Sequence, residues 1–570
     1  MIINRILKLR RLIKNNNLDG YIIPKNDAYF SEYSSPDRLK TITGFSGSAG
    51  FAVILNNINY LFVDGRYTIQ AQIQSGKYFK IIEIPKFSTK LISKRTKKIL
   101  SLGFDPQLFT NSGLNNKFDK NFSLLPVREN LVDKVYRNNS QKKLSLFYNL
   151  DNEISGEKMS SKINKLIKIM KAKNIDNIFI SAPENVAWLL NIRGKDNPHS
   201  PIPNCKIILT KTKKIFFFSC PKKIQKIKKH YDYKKIIFCV YQDFSKIINK
   251  LKGNKFNIDS LTCSISNEKI IRKKFNIELN EDPCYVLKSI KNKSEIRGMI
   301  ASHIEDGLAL TKFIYWIKNI NKKKITEVDA QKKLEKFRKL NKNYLFPSFN
   351  TIAGTGSNGA IVHYRATKTG TAVIKNNDIF LCDSGGQYKY GTTDVTRTIC
   401  FAPQKQSIKD IYTKVLKGHI AVAQIDLNKH KTGKQIDIKA REYLKKSGLD
   451  YAHGTGHGVG FFLNVHEGPQ SISKHNSVKI EKGMILSNEP GFYKKGHFGI
   501  RIENLLYVNN VNKKLFFENL TLAPIEKELI NFRLLDKDEK DYLFKYHLKI
   551  YATYSKFLNS KERQWLASLI

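Results

Sequence analysis

Apolar and polar positions change their period several times along this 570-residue chain, and each change marks an element. The opening MIINRILKLRRLIKNNN sets Ile and Leu at helical spacing among Lys and Arg, which predicts a basic amphipathic helix. GYIIP and GFAVILNNINYLFVDGRY follow as apolar runs broken by Gly, Asn and Asp, the pattern of strands joined by turns. Around residues 138–155, NNSQKKLSLFYNLDNEISG turns polar and loses its period, a candidate linker. SSKINKLIKIMKAKNIDNIFISA then repeats the helix-then-strand order, followed by ENVAWLLNIRG, KIILTK and KIFFFS. Two successive α/β units of similar start predict a duplicated domain. Residues 288–320 carry apolar positions at three- and four-residue spacing and predict one long helix. Beyond it, strands and helices mix without strict βαβ order, as in an α+β domain, and two more helical stretches follow from about residue 511.

Composition narrows the function classes. The length implies two to four domains, and 41% hydrophobic with 11% aromatic residues describes an ordinary globular chain. No apolar run reaches the roughly 18 residues of a membrane span. The N-terminus lacks the apolar run and small-residue cleavage site of a signal peptide. Seven cysteines, an odd number with no CxxC, fit free thiols in a reducing cytoplasm. A net charge of +50 invites a nucleic-acid reading. Against it, only 18 of the 99 basic residues are Arg, and the lysines are spread along the chain with abundant Asn and Ile. They thin out around the motifs described next, so the charge reads as a solvated, compositionally drifted surface.

Those motifs lie in the C-terminal half, in short glycine-punctuated apolar segments. Asp383 stands in FLCDSGGQY, Asp394 in GTTDVTRT, His457 in HGTGHGVG, Glu489 in LSNEPGFY and Glu503 in GIRIENLLYV. Carboxylates among Ile, Leu, Phe and Val are partly buried and need a counter-charge. Four of them with one imidazole make a hard, oxygen-rich shell suited to a pair of divalent cations. DIFLCDSGGQYKYGTTDVTRTICF reads as two strands joined by a Gly-containing turn, with its aspartates near opposite ends of the hairpin and able to converge on one face. HGTGHGVGFFLNVHEGP gathers His453, His457 and His466 within fourteen residues. Arg501 and Glu503 would share a strand face, and an ordinary salt bridge between them is the rival reading.

These four segments, in this order, resemble the pita-bread metallopeptidases, and most closely their cytosolic three-domain Xaa-Pro aminopeptidases. LDGYIIPKNDAYFSEY, ITGFSGSAG and FVDGRYTIQAQ are similar to that family's first domain, and ENVAWLLNIRGKD to its second. SFNTIAGTGSNGAIVHYRAT and LTLAPIEKELI resemble the catalytic domain and its extension. Departures are small: Gly386 where Ala is frequent, and Arg365 after His363–Tyr364. The resemblance implies two creatinase-like α/β domains (1–152 and 153–287), a pita-bread α+β catalytic domain (288–510) and a helical extension (511–570). It implies that Asp383 chelates one metal, that Asp394 and Glu503 bridge both, and that His457 and Glu489 bind the second. A hydroxide bridging the pair would be the nucleophile. Manganese is the family's usual metal, while the shell would also accept cobalt, zinc or iron. His363, His453 and His466 fall on positions that contact substrate and move protons, Tyr493 on a substrate-contacting one, and Arg501 on one that orients Glu503 or relays protons. The implied substrates are peptides with N-terminal Xaa-Pro, and the implied assembly is a cytoplasmic homodimer without membrane or nucleic-acid partners.

Three rivals stand beside this reading. A prolidase would require the free carboxylate of an Xaa-Pro dipeptide. A non-catalytic pita-bread module would bind histone or nucleic acid. Creatinase-like hydrolysis uses the fold without a metal pair, against which the full ligand set argues.

Overall fold

The computed structural model describes residues 2–33, 35–86, 92, 99–118, 122–136, 144–230, 233–320, 325–367 and 370–570. The chain divides into two units, Met1–Asn152 with Glu157–Tyr285, and Glu153–Gly156 with Val286–Ile570.

In the first unit, helix α1 (Ile2–Asn15) buries Ile6, Leu9 and Ile13, the stripe its spacing predicts. Six strands follow: β1 (Gly20–Pro24), β2 (Gly50–Leu55), β3 (Asn59–Val63), β4 (Lys80–Glu83), β5 (Leu100–Phe104) and β6 (Phe122–Pro126). Their order is β4-β3-β2-β1-β5-β6. Along β1 to β3, Tyr21, Ile23, Ala52, Ile54, Leu61 and Val63 join the core on the α1 side. Their alternates Ile22, Phe51, Val53, Leu55, Tyr60 and Phe62 fill a second core. A sheet covered on both faces explains why these strands read as continuous apolar runs.

After helix α2 (Met159–Ala172) come β7 (Asn177–Ile180), β8 (Lys206–Thr210), β9 (Ile215–Phe218), β10 (Ile236–Cys239), β11 (Lys255–Ile258) and β12 (Asn276–Leu279), in the order β10-β9-β8-β7-β11-β12. Each pairing direction repeats the first sheet. β1/β2 and β2/β3 are antiparallel like β7/β8 and β8/β9. β3/β4, β1/β5 and β5/β6 are parallel like β9/β10, β7/β11 and β11/β12. The expected duplication is therefore present at the level of topology. The linker reading needs correction. Residues 138–143 lie outside the described residues, but Tyr148–Asn149 pairs with Ile192–Arg193 and Asn152–Ser155 forms a helical turn. Buried Phe147 and Leu150 anchor that stretch.

The second unit begins its long helix later than the spacing suggests. α3 runs Lys293–Asn319, because Asn292 caps it. The Asn292 side chain accepts from the Ser294 and Glu295 amides while Glu295 accepts from the Asn292 amide, a reciprocal capping box that fixes the start. α4 (Glu327–Lys339) follows, and with α3 it covers a sheet of β14 (Ile352–Thr355), β15 (Ile379–Ser384) and β18 (Val395–Cys400). β13 (Tyr344–Pro347), β16 (Gly386–Tyr388) and β17 (Gly391–Thr392) form a small separate sheet. Helices α5 (Gln406–Ala423) and α6 (Gly433–Lys445) bury Val422, Ile436 and Ala440 against a five-stranded sheet. Its strands are β19 (Gly456–Gly458), β20 (Glu467–Ile472), β21 (Ile485–Asn488), β24 (Asn504–Val511) and β25 (Lys514–Asn519). The hairpin β22 (Gly491–Lys494) and β23 (Phe498–Arg501) projects between β21 and β24. Pairing of β24 with β25 crosses residue 510. The two helices expected in the tail are α7 (Lys537–Tyr554) and α8 (Ser560–Ala567).

On α7, buried His547 accepts the Ile525 amide through Nε2 at 3.2 Å, so protonation would set two donors against each other. Burial and the Arg397 charge push its pKa down to about 4. The unfolded chain takes up that proton near pH 6.5 and the folded chain does not, so stability is full above 6.5 and falls toward pH 4. At about 1.4 kcal/mol per pKa unit, His547 contributes on the order of 3 kcal/mol to that loss. Urea midpoints at pH 7.5 and 4.5 are expected to converge in His547→Gln relative to the parent; equal pH slopes would contradict this.

Candidate metal centre

The antiparallel register of β15 with β18 brings the two aspartates together. Asp383 lies opposite Thr396, and Ser384 lies opposite Val395, the residue after Asp394. They therefore sit at the same end of the strand pair rather than at opposite ends. The connection is not a simple turn, because residues 386–392 leave the pair to form β16 and β17 in another sheet. A second pairing gathers the glutamates: Asn488 lies opposite Asn504, so Glu489 just after it and Glu503 just before face each other at the base of the β22–β23 hairpin. His457 arrives on β19, whose backbone runs so close to β21 that a Cβ on Gly456 would lie 1.8 Å from the Ser487 carbonyl oxygen. That approach is open only to glycine.

Ligand atoms of Asp394, His457 and Glu503 lie within 4.8 Å of one another. His457 Nε2 is 3.4 Å from Asp394 Oδ2 and 3.5 Å from Glu489 Oε1. Its Nδ1 stands 2.9 Å from the Gly458 carbonyl, which fixes the ring and directs Nε2 at the carboxylates. Three of the four acids are braced by neighbouring donors. Thr396 Oγ1 donates to Glu503 Oε2 at 2.8 Å, Ser487 Oγ donates to Glu489 Oε1 at 3.0 Å, and Arg501 donates to Asp383 Oδ2 at 2.6 Å. Arg501 thus pairs with Asp383 and not with Glu503, which corrects the salt-bridge reading. The strand breaks at Ile502–Glu503, where the Glu503 amide turns to the Thr396 carbonyl, so residues 501 and 503 do not share one pleated face.

Electrostatics test whether this shell fits cations. Burial, with the neighbouring acids, raises the Asp383 pKa to about 6 even though Arg501 opposes the shift. Burial likewise raises Glu489, and it pushes Glu503 well above the carboxylate range. Burial would lower the His457 imidazole, yet Asp394 and Glu489 beside it hold its pKa up at about 9. The buried Asp383 Oδ1 has no hydrogen-bond partner. Four acids short of positive charge, an orphaned oxygen and one ring nitrogen make a donor set that divalent cations complete.

The remaining expected residues fall into two groups. His453 Nε2 is 2.8 Å from the Tyr493 hydroxyl, which accepts from Arg501 at 2.6 Å, so a hydrogen-bonded chain runs His453–Tyr493–Arg501–Asp383. Exposed His466 stands edge-on to His457, with ring centroids 4.3 Å apart. His363 is half-buried on the loop after Gly356–Ala360, beside Tyr364, whose hydroxyl donates to Glu327 at 2.8 Å. Glu327, fully buried, also accepts from the Thr355 and Ala372 amides and the Asn358 side chain, and so staples the His363 loop.

Sequence reasoning missed Glu327, Thr396 and Ser487. Thr396 and Ser487 were findable, since each stands two residues from an acid on an extended strand and so on the same face. Glu327 carries no local signal, because its partners lie 28 to 45 residues away.

Family models match almost the whole chain. Residues 297–510 match metallopeptidase family M24, and 513–569 match the C-terminal region of that peptidase. Residues 5–134 and 138–295 each match the creatinase/prolidase N-terminal domain. The probable Xaa-Pro aminopeptidase P of Laccaria bicolor is 37% identical over 99% of this chain and 92% of its own. The crystal structure of X-prolyl aminopeptidase from Caenorhabditis elegans, described as a cytosolic enzyme with a di-nuclear active site, superposes with a TM-score of 0.92 at 30% identity. It covers 100% of this chain and 99% of that one. Prolidase from Pyrococcus furiosus superposes with a TM-score of 0.50 at 25% identity, over 62% of this chain and 98% of its own.

Proposed function

Because this chain belongs to the Xaa-Pro aminopeptidases of metallopeptidase family M24, we propose that it releases the N-terminal residue from peptides with proline in second position, using two divalent cations. The observation that carries this is the convergence of Asp394, His457 and Glu503 within 4.8 Å, with Glu489 against the same imidazole nitrogen. Asp383, Asp394 and Glu503 would hold one cation, and Asp394, His457, Glu489 and Glu503 the other. When bound, such a pair supplies Lewis acidity and lowers the pKa of water toward neutrality.

The protein's own groups do the rest. Arg501 and Thr396 hold Asp383 and Glu503 in place, and Ser487 holds Glu489, so the acids stay converged. With Tyr493 accepting from Arg501, its proton faces His453 Nε2, which provides a path for a proton out of the site. By the family likeness, His466 and His363 would contact substrate at the scissile carbonyl and the proline pocket. An Xaa-Pro bond lacks the N–H that general peptidases recognise, so a dedicated pocket is the physical requirement.

The same reading carries finer expectations: manganese as the metal, a homodimer, a cytoplasmic location, and domains bounded at 152, 287 and 510. Among the described residues no helix is long and apolar enough to cross a membrane.

Ala-Pro-Ala hydrolysis is expected to vanish after chelation and return with Mn2+. Cleavage of Ala-Pro but not Ala-Pro-Ala would favour the prolidase reading instead. Similarity to aminopeptidases over the full length of this chain supports the aminopeptidase.

A further inference from the structure

Arg397 follows Thr396 on β18 and is 1% exposed. Every acceptor it meets is neutral. Nη1 donates to the carbonyls of Thr396 and Glu503, at 2.8 and 2.7 Å. Nη2 reaches Asn504 Oδ1 at 2.8 Å, the Ala523 carbonyl at 2.8 Å and the Tyr546 hydroxyl at 3.0 Å, and Nε donates to the Pro524 carbonyl at 2.9 Å. A buried guanidinium without a carboxylate is expensive, and a packing role alone would be met by an apolar side chain of similar length.

Its partners indicate what it does. Two acceptors belong to Glu503 and its neighbour Asn504; three belong to the chain beyond residue 520, including Tyr546 on α7. The Glu503 amide and carboxylate are already tied to Thr396. Arg397 adds a tie at the Glu503 carbonyl, so residues 396–397 hold this acid at three points. The Tyr546 hydroxyl accepts from Arg397 and from the Ala523 amide, and its proton faces the Thr521 and Ala523 carbonyls. The hydroxyl also stands 3.3 Å from Asn504 Oδ1, so its loss would take one of three acceptors from Nη2 and one donor from the side chain next to Glu503.

We propose that Arg397 is a positioning residue for Glu503, and that through Tyr546 the C-terminal extension sets how tightly the acidic cluster binds divalent cations. This rests on the metallopeptidase reading above. Glu503 moves with its backbone, and the backbone at 503–504 is held by a guanidinium whose other side is held by the extension. The extension is then part of the metal site's outer frame rather than a separate appendage.

The test uses the full-length parent, Arg397→Lys, Tyr546→Phe and Tyr542→Phe, each stripped with chelator. Binding of Mn2+ is followed by the resonance signal of the free ion, and melting of each stripped protein is recorded. Tyr542 stacks on Tyr546 but bonds Asn519, and so serves as the control. Arg397→Lys keeps the charge and loses the fork, and is expected to bind Mn2+ about 10–100-fold more weakly. Tyr546→Phe is expected to weaken binding several-fold, and Tyr542→Phe to match the parent. A lowered melting point with unchanged Mn2+ affinity in Arg397→Lys means a merely structural role and overturns the proposal. Should that variant not fold, parent-like affinity in Tyr546→Phe overturns it. A parent that binds no divalent cation overturns the functional reading itself, which is a separate result.

Discussion

Asp394→Asn is expected to abolish Xaa-Pro hydrolysis while leaving the fold intact. Asp394 is 4% exposed, stands 3.4 Å from His457 and shares its surroundings with Glu503. Asparagine keeps the shape but removes one negative charge from a shell that four carboxylates complete. A cation pair contributes several kcal/mol to a hydrolytic transition state, so kcat/KM should fall at least about 10³-fold. In the metal-free variant the lost repulsion with Glu503 offsets the lost attraction to the His457 imidazole, so it is expected to fold and to melt close to the parent. Parent-like hydrolysis and metal content in Asp394→Asn would refute the ligand assignment, whereas a parent that neither cleaves Xaa-Pro peptides nor binds divalent metal would revive the non-catalytic binding module.

Arg501→Met carries the largest expected effect on stability. The guanidinium is 2% exposed and bonds Asp383 at 2.6 Å, Tyr493 at 2.6 Å and Thr396 at 3.1 Å. Removing one partner of such a buried pair leaves the other charge uncompensated, at a cost of about 3–5 kcal/mol. In the metal-free chain that loss should appear as a lower urea midpoint. Added Mn2+ should recover much of it, since it supplies the missing positive charge. The variant should also lose activity, because the His453–Tyr493–Arg501 chain is cut. Equal midpoints for metal-free parent and variant would show that Arg501 is not what stabilises Asp383.

Several features were legible without coordinates. The stripe of α1, the runs of β1 to β3 and the repeated helix–strand opening were readable because local periodicity sets which residues a helix or strand buries. The five-residue acidic and imidazole set was equally plain, since carboxylates inside glycine-broken apolar segments are costly to bury unless positive charge meets them. Less legible was anything set by a cap or a strand switch. The long helix begins at Lys293 because of a side-chain and backbone exchange at Asn292 and Glu295 that leaves apolar spacing unchanged. The Asp383–Asp394 connection joins a different sheet, which its turn residues do not reveal. Arg501 and Glu503, two apart in sequence, part company because the chain changes ladders between them.

By itself the sequence determined which chemistry this protein carries: four carboxylates and an imidazole, the neighbouring histidines, and two similar α/β units ahead of them. Those depend on residue type and short-range spacing, which the chain carries locally. Only the tertiary structure decided which atoms hold which. Arg501 serves Asp383, Thr396 serves Glu503, Glu327 staples the His363 loop from up to 45 residues away, and Arg397 joins the site to α7 across 149 residues. Such hydrogen bonds are set by strand register and by the meeting of distant segments, and neither leaves a periodic trace in the chain.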